Sequence, residues 1–156
     1  VALLGRLPHL EWWRGESVHD VQLAHTALAA VGLSDIAHRR TTMLSGGERR
    51  RLALAALLAQ EVPLCLLDEP NSHLDLHQQM AFMDLLIGWD GRTLVMTLHD
   101  VNIAARYCTH VLLLFGEGQW SAGTVRDMLS ADVLTRLYRH PVIAVDTAQG
   151  VAYLPR

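Results

Sequence analysis

The sequence predicts an α/β fold in which the central strands run parallel, and three short apolar runs are the main indication. The three runs are residues 63–67, 92–97 and 110–115. Each is continuously apolar rather than alternating with polar residues, which is typical of a strand that is covered on both faces. Helical patterns over 76–87 and 101–107 separate them. Because strands that alternate with helices pair in parallel, with the helices as crossovers, we expect a parallel sheet flanked by helices.

Two helices are predicted before the first strand. Over residues 16–31 apolar side chains recur at helical spacing, and Gly32 is expected to end this helix as its C-terminal cap. A second helix is expected to begin at Ser45 and to run to Gln60. Its dense leucine and alanine content is typical of a helix that is buried along most of its length.

The C-terminal segment is predicted to combine a short strand, one helix and a hairpin. A glycine-rich turn at 116–119 precedes a short strand at 120–123. Apolar residues at helical spacing then predict a single helix over 124–138. Two apolar segments on either side of a glycine, 142–145 and 151–154, predict the hairpin.

Composition narrows the class of protein. The 156 residues allow one domain of ordinary size, and a chain that is 51% apolar and 19% charged is neither disordered nor fibrous. A net charge of −3 lacks the basic surface of a duplex-binding domain, so we expect no nucleic-acid partner. Cys65 and Cys108 form no CxxC pair, and no apolar run approaches the length of a membrane span. We therefore expect a cytosolic protein with both cysteines reduced in the core.

All thirteen basic residues are arginines, and the sequence contains no lysine. This excludes a Schiff-base lysine from the chain. It also excludes a complete P-loop, GxxxxGK[ST], whose lysine reaches the terminal phosphates of a nucleotide. Because the first residue is Val1 rather than methionine, we interpret the sequence as a fragment.

Two adjacent carboxylates, Asp68 and Glu69, follow the first predicted strand. The carboxyl ends of parallel strands are where open α/β sheets bind ligands. Phosphoryl transfer requires one carboxylate near Mg²⁺ and a second group that positions or deprotonates the attacking water, and this pair supplies both. The alternative is that the two acids only begin a loop or cap a helix.

A second polar group, Ser45-Gly46-Gly47-Glu48, opens the predicted helix. Ser45 is a competent N-cap, and the two glycines allow a ligand to approach the first-turn N–H groups, where the helix dipole favours an anion such as a terminal phosphate. The alternative is an ordinary capping turn.

Four motifs in order resemble the second half of an ATP-binding cassette ATPase. The first is the LSGGE segment at 44–48, and the second is the predicted strand with the Asp-Glu-Pro that ends it, at 64–70. The third is the segment at 71–75, and the fourth is Leu-His-Asp at 98–100. Within that family, segments 1–8, 72–75 and 99–108 resemble importers of ferric siderophores, haem and vitamin B12. The resemblance implies an α/β fold that is the C-terminal half of a P-loop NTPase (RecA-like) core with parallel strands, together with the family's helical subdomain.

The resemblance also implies roles for individual residues. It places the LSGGE residues Ser45, Gly46, Gly47 and Glu48 in the nucleotide site, where the serine and the glycines contact the γ-phosphate of an ATP held mainly by the opposite subunit. It makes Asp68 the carboxylate associated with Mg²⁺.

Three further roles are carried over in the same way. Glu69 matches the general base, and the loop with Ser72 and Asp75 crosses the interface between two cassettes. His99 matches the switch histidine that contacts the γ-phosphate and orients the attacking water, which suits an imidazole because one nitrogen can donate while the other is held. The alternative for His99 is a strand-end histidine that only contacts solvent.

The sequence departs from the family in a few places. Asn71 stands where the family often has threonine. Residues 49–51 are three arginines, where the family commonly has a glutamine before an arginine. The alternative for these arginines is that they are only the solvent-exposed start of the helix. The 156 residues lack a P-loop, and the resemblance implies that the half of the cassette that holds it also holds the aromatic residue that stacks on adenine and the glutamine loop. In the family a further strand lies between those matching 92–97 and 110–115, so we expect this chain in isolation to expose sheet surface.

Two other groups have ordinary explanations. His73 and His77 are four residues apart and so share a helix face as candidate metal ligands, but no suitable third ligand lies nearby in sequence. The Trp12-Trp13-Arg14 segment is a candidate recognition patch, although paired tryptophans in a helical region more often cover a core or face a partner.

The sequence-based interpretation is thus a cassette ATPase fragment from an importer, with a helical subdomain at 9–60 and the second part of the nucleotide-binding core at 61–156. Its expected partners are a second cassette, ATP with Mg²⁺, and a membrane permease that holds it on the cytoplasmic face. One alternative is a truncated cassette that acts as a non-catalytic interaction module. Another is a cassette ATPase of DNA repair or translation, which the acidic balance and the segment after His99 disfavour.

Overall fold

The computed structural model describes residues 1–10, 13, 15–72, 74–89 and 91–156. The chain divides into two compact units, 1–65 with 74–78 and 88–94, and 66–73 with 79–87 and 95–156; each is described by itself. The α-helices are α1 (Val18–Ala30), α2 (Gly46–Ala59), α3 (Leu76–Ile87), α4 (Val101–Tyr107), α5 (Val125–Met128) and α6 (Ala131–Tyr138). The strands are β1 (Leu64–Leu67), β2 (Thr93–Met96), β3 (His110–Gly116), β4 (Gln119–Thr124), β5 (Val142–Thr147) and β6 (Gly150–Pro155).

In the first unit, α1 and α2 pack against each other and against a 3₁₀ helix, Ala2–His9. Both predicted helices are confirmed. Gly32 lies just past α1 with φ of +67°, and the Leu33 N–H donates to the carbonyl oxygen of Leu28 at 2.9 Å, so the glycine ends the helix as predicted. Four of the buried residues on these helices are alanines, whose small side chains let the helices approach closely: Ala24, Ala27, Ala55 and Ala59. Leu28 and Leu54 are buried beside them.

Gly5 allows the 3₁₀ helix to lie directly on α2. A Cβ atom built at Gly5 would overlap the carbonyl oxygen of Ala56. Because the obstructing atom belongs to a helix backbone, it cannot move aside as a side chain can. Any residue other than glycine at this position must therefore push the two helices apart.

A buried arginine joins the three segments of the first unit. Arg6 is only 5% exposed, and its Nε donates to Asp20 Oδ1 at 2.8 Å. Its Nη1 donates to the carbonyl oxygen of Ala59 at 2.8 Å and to Glu61 Oε2 at 3.0 Å. Hydrogen bonds from Ser17, and then from Arg6, hold the pKa of Asp20 well below its usual range.

Strands β1 and β2 confirm the prediction of parallel strands. The Thr93 N–H donates to the carbonyl oxygen of Pro63 at 2.8 Å, and the Thr97 N–H donates to that of Leu67 at 3.0 Å. The acceptor moves forward along β1 as the donor moves forward along β2, which is the pattern of a parallel pair.

The third apolar run, β3, was expected in the same sheet beyond a further strand of the family, and among the described residues it pairs with neither β1 nor β2. In the part of the chain that the structure describes, β3 pairs with β4 in an antiparallel hairpin, with Leu112 opposite Ala122. The turn between them has positive φ at Gly116, Glu117 and Gly118, which favours the local hairpin. The additional strand that the family resemblance places beside β3 stays a prediction.

The second unit has its core between the β3–β4 hairpin, α6 and the β5–β6 hairpin, around Leu113, Leu129, Leu134 and Tyr153. The β5–β6 hairpin and the short strand β4 are confirmed. The prediction of a single helix over 124–138 is wrong, because two helices, α5 and α6, occupy this range. Ser130 has an extended backbone between them and caps α6 through its hydroxyl, which accepts the Val133 N–H at 3.3 Å.

Among the described residues, no helix combines the length and the apolar composition needed to cross a bilayer.

Replacing Gly5 with alanine is expected to lower the free energy of unfolding by about 1–3 kcal/mol, because the new methyl group overlaps the Ala56 carbonyl oxygen. Urea denaturation followed by circular dichroism measures the change. Gly15→Ala is the control, since nothing lies within 4 Å of a Cβ at that position, and we expect a change within about 0.5 kcal/mol. Equal effects of the two substitutions would contradict the close approach.

The depressed pKa of Asp20 predicts a loss of stability in acid. The folded-state pKa lies below the unfolded one, so the contribution is complete above the ordinary value of about 4 and is lost as the pH falls below it. We expect the urea midpoint of Asp20→Asn to fall less between pH 6 and pH 2.5 than that of the unmodified chain. The exposed Asp35 supplies the control, because Asp35→Asn is expected to keep the original pH dependence.

Candidate functional site

The acid pair lies at the carboxyl end of β1 and is held by a residue that follows β2. The Thr97 hydroxyl donates to Asp68 Oδ1 at 2.6 Å and accepts the Glu69 N–H at 2.8 Å. Sequence reasoning missed Thr97. The sequence offered one clue to Thr97, namely that it follows a predicted parallel strand. Residues that follow two neighbouring parallel strands meet at one edge of the sheet.

Glu69 has an unusual backbone. Its φ is +42°, in the left-handed region where an L residue with a side chain pays about 1–2 kcal/mol. The Ser72 N–H donates to the Glu69 carbonyl oxygen at 3.1 Å, and the Glu69 N–H is bound by Thr97. Both sides of the residue are therefore fixed by hydrogen bonds, which is how strained backbone persists at functional sites.

His99 closes this cluster. Its Nε2 lies 2.6 Å from Glu69 Oε1, while the His99 side chain is 81% exposed and the Glu69 side chain 43% exposed. The structure thus brings together three of the predicted site residues, Asp68, Glu69 and His99. We call these residues with Thr97 the acidic cluster; it combines two carboxylates, a hydroxyl and an imidazole that solvent can reach.

Ser72 and Asp75 belong to different units and are described separately. Ser72 lies in the turn after the acid pair and binds the Glu69 carbonyl oxygen through its N–H. Asp75 precedes α3, and its Oδ1 accepts the Gln78 N–H at 2.8 Å, which is the contact of a helix N-cap. His73 lies outside the described residues.

Ser45 caps α2 in the first unit, as predicted from the sequence. Its hydroxyl accepts the Glu48 N–H at 3.2 Å, and Glu48 Oε2 accepts the Ser45 N–H at 2.7 Å, so the two residues form a capping box. The backbone hydrogen bond from Ser45, followed by that from its hydroxyl, lowers the pKa of Glu48. Nothing lies within 4 Å of a Cβ at Gly46, which leaves the first turn open to a ligand.

The structure assigns Glu48 a contact that the sequence did not predict. Its carboxylate binds its own helix start and lies 4.0 Å from an Arg39 guanidinium nitrogen. A carboxylate in this position supports the helix dipole. The Ser45 N–H is already donated to Glu48, so the donors that this segment can offer a ligand are the Ser45 hydroxyl and the N–H groups of Gly46 and Gly47. Glu48 holds the turn in shape.

The helix that follows His99 is tied to the C-terminal hairpin. Asp100 caps α4, and its Oδ1 accepts the Asn102 N–H at 2.7 Å. The Asn102 side chain donates to the Tyr153 carbonyl oxygen at 3.1 Å and accepts the Tyr153 N–H at 2.7 Å. Sequence reasoning missed this contact, which joins residues 51 positions apart and leaves no local pattern.

Among the described residues, no group of three or more histidine, cysteine, aspartate or glutamate side chains could hold a metal ion. The candidate pair of His73 and His77 falls partly outside the described residues, as do Trp12 and Arg14 of the candidate recognition patch. Both cysteines are free thiols; Cys65 is buried and Cys108 half-buried, and burial raises the pKa of each.

Comparisons with known proteins agree on one family. A family model described as ABC transporter matches residues 6–72. The hemin import ATP-binding protein HmuV of Nocardia farcinica (strain IFM 10152) is 41% identical over 148 residues, which are 94% of this chain and 51% of the relative. The ferric enterobactin transport ATP-binding protein FepC of Escherichia coli (strain K12) is 36% identical over 149 residues, which are 91% of this chain and 54% of the relative.

A solved structure shows the same fold. A metal-chelate type ABC transporter in an inward-facing conformation matches all of this chain and 65% of its own chain, with 32% identity and a TM-score of 0.88. The present chain spans about half the length of the curated relatives it matches.

The contact between Asn102 and Tyr153 is expected to stabilise the second unit. Asn102→Ala should lower the free energy of unfolding by about 1–2 kcal/mol, because it leaves the Tyr153 N–H and carbonyl unpaired. Hydrogen exchange of the Tyr153 amide should accelerate. Asn102→Asp keeps an acceptor for that amide and is expected to keep most of its protection; loss of protection in both variants would argue against the assigned bond.

Proposed function

Because this chain belongs to the ATP-binding cassette family, we propose that it forms the C-terminal part of the ATPase subunit of an importer. The complete subunit binds and hydrolyses ATP, and the cargo is a metal chelate such as haem, a ferric siderophore or a cobalamin. The observation that carries the proposal is the acidic cluster, in which Asp68, Glu69 and His99 meet at the carboxyl end of a parallel strand pair.

Asp68 fits the role of an Mg²⁺ ligand. Its Oδ1 accepts the Thr97 hydroxyl, and within the described residues no hydrogen bond to Oδ2 is seen. Mg²⁺ is commonly held by one or two carboxylates with substrate phosphates rather than by a cage of protein ligands. When bound, the ion neutralises charge that develops on the phosphate oxygens.

Glu69 and His99 fit the roles of general base and γ-phosphate contact. The Glu69 carboxylate is partly exposed, so a water molecule can reach it, and its Oε1 already lies within hydrogen-bonding distance of the His99 ring. In this proposal Glu69 accepts the proton of the attacking water, while His99 donates to a phosphate oxygen and orients that water.

Ser45, Gly46 and Gly47 are proposed to bind the γ-phosphate of an ATP held mainly by a second cassette. The open first turn of α2 supports this, since its N–H groups and the positive end of the helix dipole favour an anion. Glu48 shapes this turn, and Ser72 and Asp75 belong to the segment proposed to cross between the two cassettes.

The proposed assembly contains two cassettes and a membrane permease. Residues 9–60 form the helical subdomain that docks on the permease, and 61–156 form the second part of the nucleotide-binding core. This places the protein on the cytoplasmic face of the membrane, with no role for nucleic acid. Transport is driven by the difference in ATP affinity between the closed and open dimers.

In the full-length gene product, Glu69→Gln is expected to keep ATP binding and to lose hydrolysis by a factor of about 10³ or more, because the amide cannot accept the proton of water. Steady-state phosphate release and equilibrium binding of MgATP measure the two quantities. Asp127→Asn changes a carboxylate that contacts Thr124 in the same unit and serves as the matched control with unchanged turnover. Normal turnover in Glu69→Gln would refute the assignment of the base.

The 156 residues alone contain no P-loop lysine, so we expect them to show no ATPase activity and only weak binding of MgATP. Isothermal titration calorimetry measures the binding, and micromolar affinity would contradict this expectation. Co-purification with an intact cassette without any gain in ATPase rate would instead support the alternative of a non-catalytic interaction module.

A further inference from the structure

We propose that Thr97 is a positioning residue for the catalytic acid pair, an inference that rests on the proposed function. Its hydroxyl group contacts both acidic residues at once, through a hydrogen bond to Asp68 Oδ1 and another from the Glu69 N–H. Thr97 does not contact the substrate in this proposal. It acts through the carboxylate that binds Mg²⁺ and through the backbone of the general base.

The chemistry of a hydroxyl group suits this task. A hydroxyl has one hydrogen to donate and two lone pairs that accept, so a single oxygen can join an ionised carboxylate to a backbone N–H. A carboxylate accepts and an N–H donates, which fixes the direction of both bonds. Valine has the same shape as threonine and can form neither bond.

Thr97 is itself held in place by the sheet. Its N–H donates to the carbonyl oxygen of Leu67 at 3.0 Å. Leu67 is the last residue of β1 and directly precedes the acid pair. The hydroxyl then donates to the Asp68 carboxylate and accepts the Glu69 N–H, the groups of the two residues that follow the end of β1. The parallel ladder therefore continues through the Thr97 side chain to the two acids.

The backbone of Glu69 makes this support necessary. Its φ of +42° lies in a region that an L residue with a side chain seldom occupies without external contacts. Thr97 binds the N–H of Glu69 and Ser72 binds its carbonyl oxygen, so the residue is fixed on both sides. Loss of the Thr97 hydroxyl releases one side, and the carboxylate that contacts His99 loses its fixed direction.

Kinetic measurements on the full-length gene product test this role. Thr97→Val is expected to lower kcat by about 10- to 100-fold while KM for ATP changes less than about threefold, because positioning acts on the chemical step. Thr97→Ser restores the hydroxyl and should restore kcat. Thr93→Val removes the same hydroxyl from the start of β2 and is the matched control, with kcat unchanged.

Hydrogen exchange measured by mass spectrometry gives a readout that does not depend on ATPase activity. The peptide over 66–72 should exchange at least about tenfold faster at one amide in Thr97→Val, and at the original rate in Thr97→Ser and Thr93→Val. If the unmodified protein does not hydrolyse ATP, the proposed function fails and the exchange result alone decides the role of Thr97.

Two results would overturn the inference. One is a Thr97→Val protein with unchanged exchange over 66–72 and unchanged kcat. The other is a Thr97→Ser protein that loses activity as fully as Thr97→Val, because that result assigns the effect to the methyl group. Melting temperatures show whether each variant folds, and Thr97→Ala replaces Thr97→Val if the latter does not.

Discussion

Parallel pairing of β1 with β2 brings the residues that follow both strands to one edge of the sheet. The two described backbone bonds, from Thr93 to Pro63 and from Thr97 to Leu67, keep the same offset along the pair. The register therefore places the acid pair next to the segment that contains Thr97 and His99. A slip of one residue would turn these side chains to the opposite face of the sheet and separate the acids from the histidine.

Hydrogen bonds hold the acidic cluster in shape. A left-handed Glu69 costs about 1–2 kcal/mol. The Glu69 N–H donates to the Thr97 hydroxyl, the Ser72 N–H donates to the Glu69 carbonyl oxygen, and an ordinary hydrogen bond contributes about 0.5–1.5 kcal/mol. The two bonds together are of the same size as the cost of the backbone conformation and offset it. The Glu69 carboxylate, which is partly exposed, then contacts His99.

Local patterns in the sequence predicted the elements whose causes are local. The cap at Ser45, the helix end at Gly32 and the two acids after β1 are each encoded within a few residues. The break at Ser130 was missed because a capping serine inside a helical apolar pattern competes with that pattern only weakly. The pairing of β3 with β4 was missed because the run of apolar residues does not state which neighbour it pairs with.

The contacts that the sequence could not predict join distant residues through side chains. Thr97 meets Glu69 across 28 positions, and Asn102 meets Tyr153 across 51. Neither pair has a spacing that periodicity can detect, because the contact depends on tertiary packing. The one clue in the sequence was that Thr97 and Asn102 both lie within a few residues of His99, which the Leu-His-Asp segment had already indicated as a site residue.

The central proposal is that the acidic cluster of one copy of the protein and the open turn at Ser45 of another copy bind the same nucleotide. A structure of the full-length Glu69→Gln protein with MgATP tests this most directly. The account predicts the γ-phosphate within hydrogen-bonding distance of Ser45 and the Gly47 N–H of one copy, with Mg²⁺ beside Asp68 of the other. A nucleotide that contacts both groups from a single copy, or that leaves Asp68 facing only solvent, would contradict it.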